Sequence, residues 1–485
     1  MDPSVDPGGL NMATVGNPAE SELSSSSSRT VAAERRAVLL RGANPVVRLV
    51  RTLRLPLLLL ALGTLIPTEL HFFSLYTLVG SAIPDVIYLS HGALGLLQGH
   101  VPYLPGFMSF PDQRLTYLYP PLTLLITLPP ALAGSYYDLG FAIEILVLIG
   151  AGSVVLGAWA RRLGAVAPIG MLTAVLLLAI GPTLLTRVDG IQGLLVAGSA
   201  LALIDRRRVL AVALVALAVL VKETAVLAAV PVGLWCLLPD PDDPATLRER
   251  LRELAVGVFP ALVVFLIFLV WSRGAEVTGA LASVHRAMEI ESLPASFAIL
   301  LSHLVPVHPY LGKLASWEIA APDASVIALV ATLLGAALVL GSSLLFAWDR
   351  KYPATAIACA VAVGLCATPV LSPQYLLDLL PVLVVAACLE VPSRKGAALV
   401  LLGLLAALLT QAEFPYLFAS VSRLAPPGLI VLLFRNLVLL LIALALVRLV
   451  PLRAALLRLR HTWRGGGLLG WLATGPRAGR LPRGG

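Results

Sequence analysis

Charge is what this chain has least of. Of its 485 residues 13% are Asp, Glu, Lys or Arg, against about a quarter in an ordinary soluble domain, while 58% are hydrophobic and the mean hydropathy is +0.91. That balance excludes a soluble globular protein. Cysteine is scarce as well: Cys236, Cys359, Cys366 and Cys388 all lie in apolar segments, none at metal-ligand spacing. Neither a disulfide framework nor a thiolate metal site is expected, and the thiols read as small core hydrophobes. The chain carries no P-loop, no HExxH and no GxGxxG following a strand. It is therefore not expected to drive transport with a nucleotide, to act as a zinc protease or to bind a dinucleotide. The tandem or inverted repeats on which many secondary transporters are built are not visible either.

What is present is a series of apolar runs from Leu55 to Val447, each of the length and composition of a membrane helix. The expected fold is all-α, a polytopic integral membrane protein of about eleven to thirteen transmembrane helices with surface helices in its external loops. Residues 1–50, with the run SELSSSSS, read as a disordered cytoplasmic tail. Residues 51–450 form the membrane domain, and 451–485 a basic cytoplasmic tail. From Arg448 onward there are eight arginines and no acid, which accounts for the whole net charge of +8. The basic excess thus points to anionic lipid headgroups and not to nucleic acid.

Arg41, Arg48, Arg51 and Arg54 precede the first span, and further basic clusters occur at Arg161-Arg162, Arg206 to Arg208, 248–253, 349–351 and 393–395. By the positive-inside rule these mark cytoplasmic turns. The loops at 77–118 and 273–325 then lie outside, with TRVDG (186–190), Lys222-Glu223, SPQY (372–375) and QAEFPY (411–416). One region breaks the parity. Residues 119–160 read as two spans hinged at Gly134, yet an odd number is needed to reach Arg161, so either one piece is re-entrant or Arg161-Arg162 is an exception.

The least apolar stretch of the first half is PDVIYLSHGALGLLQGHVPYLPG (84–106). Pro84 suits the first position of a short helix and Asp85 its first turn, where a carboxylate complements the helix dipole. The same carboxylate, beside Tyr88 and His91 at the membrane interface, is placed to act as a general base. Tyr117, Tyr119 and the pair Pro120-Pro121 open the next segment. Lys222 and Glu223 interrupt an apolar run of about thirty residues, where a charge costs roughly 2.5–3.5 kcal/mol; they either mark an outer turn between short helices or serve an anionic ligand. Tyr375 and Asp378 share a helix face at three-residue spacing. The long loop holds Arg286, Glu289, Glu291, His303, His308, Tyr310 and Trp317. There Glu289 and Glu291 are expected to be solvated and the aromatics to anchor the interface or stack on a sugar.

Asp85, Tyr88, QGHVPY (98–103) and YPPL (119–122), followed by RRRVLAVALVALAVLVKETAVLAAVP (206–231) and LSPQYLLDLLP (371–381), resemble the polyprenol-phosphate-sugar-dependent glycosyltransferases of the GT-C fold. The likeness is greatest to the GT87 family of actinobacterial mannosyltransferases. It implies transfer of a mannose-type sugar from a polyprenyl-phosphate donor to a glycolipid or polysaccharide of the cell envelope, on the outer face of the plasma membrane, with Asp85 as catalytic base. Related families carry a second acid in this loop, and here the nearest is Asp112. Lys222, Arg187, Arg286 and a loop histidine, His303 or His308, are the candidates for the donor phosphate, with Tyr88, Tyr119 and Tyr375 as further substrate contacts. No cofactor or metal is implied. A monophosphate leaving group carries less charge than a diphosphate, so activity is expected to survive chelation. A rival reading is a transporter or lipid-linked-sugar flippase, in which Glu69, Asp85, Lys222 and Asp378 line a pathway.

Overall fold

Small residues set the architecture. Lipid tails are as apolar as leucine, so membrane helices adhere by close backbone approach and by polar contacts more than by the hydrophobic effect. The segment PATAIACAVAVGLCA is accordingly buried on almost every side. In the computed structural model, residues 84–104, 106–108, 117–240, 243, 245–277, 287–302, 304, 306–312 and 316–450 are described, with Ile66. The helices in chain order are α1 (Pro84–Leu97), α2 (Pro121–Ile126), α3 (Leu128–Ala131), α4 (Tyr137–Arg162), α5 (Ile169–Leu178), α6 (Asp189–Ile204), α7 (Arg208–Val221), α8 (Val226–Leu237) and α9 (Leu247–Trp271). Then follow α10 (Leu293–Leu300), α11 (Ala324–Asp349), α12 (Pro353–Ala367), α13 (Leu376–Leu389), α14 (Ser393–Gln411), α15 (Phe418–Val421) and α16 (Pro426–Val447). A two-stranded antiparallel hairpin, β1 (His308–Leu311) with β2 (Trp317–Ala320), pairs His308 with Ala320. It is a small exception to the all-α expectation, and the backbone of 288–290 joins its edge through Ile290 N–H to Trp317 O and Ile319 N–H to Met288 O.

The helices fall into two kinds. Five stretches, at 134–162, 247–271, 324–349, 393–421 and 426–447, are long and apolar enough to cross a membrane. Each leaves much of its surface exposed, as Leu329, Val330, Leu333 and Leu334 do on α11. Helices α6, α7, α12 and α13 have only 14 to 16 residues, or about 21–24 Å of rise against about 30 Å of bilayer core. These short helices form the centre: α6 packs on α4, α7, α12 and α13, while α12 packs also on α8, α11 and α16. Their ends therefore stop short of the longer helices around them, which leaves polar groups recessed within the bundle.

Residues 119–133 do not make a span. Prolines at 120, 121, 129 and 130 break the segment into α2 and α3, ten helical residues in all, or about 15 Å. Helix α4 then runs unbroken from Tyr137 to Arg162, so 119–160 holds one stretch of membrane-crossing length and not two. The charges segregate accordingly. Helix α7 begins at Arg208, whose guanidinium binds Asp240 and Asp243, and it ends at Lys222. Arg250 and Arg350 both reach the Leu238 carbonyl, and Trp159 on α4 donates to Asp205 at 3.1 Å. All of these lie at the arginine end of the bundle, opposite Lys222.

One close approach links the fold to that opposite end. Pro381 lies inside α13 and supplies no N–H to the Leu377 carbonyl. Gly193 of α6 comes up against that same oxygen, and a Cβ at 193 would strike it and the Pro381 ring. Gly193→Ala is expected to destabilise the fold by about 1–3 kcal/mol through overpacking, read as a lowered melting temperature in detergent. An unchanged melting temperature would show that the two helices can part freely.

Candidate active site

Helix α1 starts at Pro84, as its proline and first-turn acid require, and its Asp85 side chain is 32% exposed. The carboxylate does more than face a helix dipole: it forms an ion pair with the Arg187 guanidinium, whose side chain is 8% exposed. One turn along, Tyr88 stacks on Tyr117 with ring centroids 5.3 Å apart and lies 5.9 Å from Tyr119. The Tyr103 hydroxyl donates to the Tyr119 carbonyl at 2.8 Å, and Phe107 completes the aromatic wall. Burial, with the nearby Asp85 charge, holds the Tyr88 hydroxyl far above its ordinary range, so it stays a neutral phenol. Glu276, buried just after α9, adjoins this wall, and burial pushes its carboxyl up to about 7.

Arg187 occupies an extended position between the 3-10 turn Gly181–Thr186 and α6. The turn begins at a left-handed Gly181, where a Cβ would meet the Gln411 side chain. Two residues on, Asp189 sits in the first turn of α6, fully buried. Its partner is Lys222, with Nζ 2.6 Å from Oδ1. Lys222 caps α7 and is 4% exposed, whereas Glu223 points outward. The neighbouring charges in sequence thus do not pair; the turn between short helices and the buried cation are both real. Lys222 Nζ lies 4.4 Å from the Tyr375 ring centroid and 5.9 Å from that of Tyr119. Behind it, Thr224 accepts from Gln192 at 2.8 Å and donates to Asp378 at 2.8 Å. Tyr375, in the 3-10 turn Pro373–Tyr375, and Asp378, in the first turn of α13, thus both reach the surroundings of Lys222.

A second buried group adjoins it. Glu289 and Glu291 are 1% and 5% exposed, which corrects the expectation of solvated loop charges. Ser372 donates to Glu289 at 3.1 Å. The Glu291 carbonyl accepts from Arg435 and from Asn436, both on α16. Arg435 also pairs with Glu413 at 3.1 Å, and both are fully buried. Within QAEFPY, Glu413 lies in a π-helical turn, Ala412–Leu417, that continues α14. Burial, then the Glu413 and Glu289 charges, raise Glu291 well above the usual carboxylate range, while Arg435 and Arg187 are near enough to oppose that shift. Proximity to Arg187 joins this group to the Asp85 centre.

The structure does not bring every candidate together. His308 is exposed on β1, where it pairs with Ala320. Tyr310 and Trp317 lie on the same hairpin. Glu69, His71, Asp112, Arg286 and His303 fall outside the described residues. Among the described residues no three His, Cys, Asp or Glu side chains converge as metal ligands.

What converges, then, is a partly exposed carboxylate, two cations that each face a carboxylate, and a wall of tyrosines, all at the end of the bundle opposite Arg208, Arg250 and Arg350. A carboxylate can take a proton, cations can hold an anionic leaving group and aromatic rings can carry a sugar face. The family model described as glycosyltransferase family 87 matches residues 117–373, just over half of the chain. The match takes in Tyr119, Arg187, Asp189, Lys222 and Glu291, begins after Asp85 and ends before Tyr375. None of the curated proteins and none of the solved structures matches.

Proposed function

Because the chain belongs to glycosyltransferase family 87 and is a multi-pass membrane transferase, we propose that it moves a mannose-type sugar from a polyprenyl-phosphate donor to a glycolipid or cell-envelope glycan. The observation that carries this reading is the placing of Asp85 against Arg187 at a partly open helix end, with Lys222 and Asp189 beside them. The basic clusters at the other end support, by the positive-inside rule, our reading that this centre faces the outside, which we take to be the outer face of the plasma membrane.

In the proposed step Asp85 accepts the proton of the acceptor hydroxyl while that oxygen bonds to C1 of the sugar. The bond from C1 to the phosphate oxygen breaks, and its electron pair stays on the polyprenyl phosphate. Arg187 and Lys222 lie where that charge gathers. One displacement inverts the anomeric centre, as in the inverting glycosidases. Tyr88 and Tyr119 flank the base, and Tyr375 holds the Lys222 ammonium by its ring face. The exposed Tyr310 and His308 hairpin borders the Glu289 segment through β2, and its rings are the surface we assign to an acceptor glycan.

Purified protein incubated with radiolabelled polyprenyl-phosphate mannose and a membrane glycolipid extract is expected to place label in a larger glycolipid. Transfer from other polyprenyl-phosphate sugars but not from this one would change the sugar. If no lipid-linked sugar serves and label is instead found moved across a vesicle membrane unchanged, the flippase reading replaces this one.

A further inference from the structure

Arg187 faces two demands that cannot be met together. In the proposed reaction it neutralises a phosphate, but in the structure its outward face is taken by Asp85, the group that must itself be free to accept a proton. Its inner side is anchored, with Nη1 donating to the Thr186 carbonyl at 3.1 Å and its backbone extended at the entry to α6. Its Nε–H is buried and has no hydrogen-bond partner among the described residues. A guanidinium held from behind, with an N–H left over, has the planar fork that a phosphate takes.

Lys222 is the other cation, but its situation differs. Its partner Asp189 is fully buried, and the Tyr375 ring covers it. Displacing Asp189 would strand a carboxylate with no access to water, which is the costly way to break an ion pair. Asp85 is a third exposed, so releasing it returns a carboxylate to solvent. Of the two pairs, an arriving phosphate separates the outer one.

From this we infer that the Asp85 to Arg187 ion pair is an exchange site: the phosphate of the lipid donor takes the Arg187 guanidinium and frees the Asp85 carboxylate to act as base. The exchange makes and breaks no covalent bond. It makes the base competent only when a donor is seated, since Asp85 Oδ2 stays engaged by the guanidinium until a phosphate takes its place. After transfer Asp85 holds the proton from the acceptor hydroxyl, and once that proton is lost to water the carboxylate competes again for Arg187 and helps expel the polyprenyl phosphate. The inference rests on the reading of the donor given above.

The test is equilibrium binding of a polyprenyl monophosphate to the full chain in lipid nanodiscs, with the matching polyprenol and inorganic phosphate as controls. Wild type is compared with Asp85→Asn, Arg187→Gln, Arg187→Lys and the double variant Asp85→Asn with Arg187→Gln. Asp85→Asn is expected to bind polyprenyl phosphate about two- to five-fold more tightly, the range for an ion pair of this exposure. Arg187→Gln is expected to bind it about tenfold or more weakly, as for a lost bond to a charged group, and Arg187→Lys to regain part of that loss. In the double variant the gain from Asp85→Asn vanishes, because no guanidinium remains to be freed. Polyprenol binding is unchanged throughout, and inorganic phosphate following the same order would make the site a free-phosphate site and overturn its assignment to a lipid donor. If wild type favours polyprenyl phosphate over polyprenol but Asp85→Asn binds no tighter, the exchange is wrong and the donor reading stands. If wild type does not favour the phosphate, the donor reading itself falls.

Discussion

Asp85→Asn is expected to cut sugar transfer by about a hundred- to ten-thousand-fold, the range that a positioned general base contributes. The side chain keeps its shape and its place in the first turn of α1, so loss of activity with an unchanged melting temperature would isolate the lost proton acceptor. Kinetically the fall belongs in kcat. The apparent KM for the lipid donor should stay the same or drop, since a neutral amide no longer holds Arg187 against an arriving phosphate. A residue that merely fixed the loop would show the opposite, a raised KM together with a lowered melting temperature. Asp378→Asn is the informative comparison. Asp378 is buried and accepts from Thr224, so it stands behind Lys222 and does not face the open end. If Asp85→Asn retains full transfer while Asp378→Asn loses it, the base has been placed in the wrong helix.

The class of fold could be read from composition because membrane helices obey a simple constraint: twenty or so apolar residues must satisfy their own backbone. Asp85 and Tyr88 were legible for a related reason, since polar residues crowded just after an apolar run stand out against it. Asp189 was harder to find. It lies in TRVDG, which reads as an ordinary outer turn, and nothing in the spacing to Lys222 announces a contact across 33 positions. The pairing of Lys222 with Asp189 in place of Glu223 is decided by α6 packing on α7, a tertiary fact. Glu289 and Glu291 were misread for the opposite reason. Local sequence gives them a polar loop with an adjacent arginine, whereas α16 and the π-helical turn close over Glu291, and Ser372 and β2 over Glu289. Proline positions did carry the answer for 119–133, because four prolines within eleven residues leave no room for a continuous span. The hairpin at 308–320 gave too weak an alternation to be seen in a chain dominated by helical runs.

Arg435→Met is expected to destabilise the protein by about 3–5 kcal/mol, the cost of stripping one partner from a buried ion pair. In the sequence Arg435 and Asn436 sit unremarked inside the last span, yet a charge there has to be matched, and the structure matches it with the Glu413 carboxylate and the Glu291 carbonyl. The substitution makes α16 more apolar, so its insertion into the membrane improves while its assembly with α14 worsens. The defect should therefore appear as protein that reaches the membrane in normal amount but melts early and loses activity. Adding Glu413→Met to Arg435→Met is expected to recover much of the loss, because an apolar pair of similar volume leaves no stranded carboxylate. Recovery of stability without recovery of transfer would be the more telling result. Glu291 lies near both Arg435 and Arg187 and gives its backbone carbonyl to Arg435, so removing Arg435 and Glu413 would also loosen the segment that reaches Arg187, where the donor phosphate is proposed to bind. A melting temperature unaffected by Arg435→Met would mean that the pair contributes no net stability and that α16 is held by its apolar face alone.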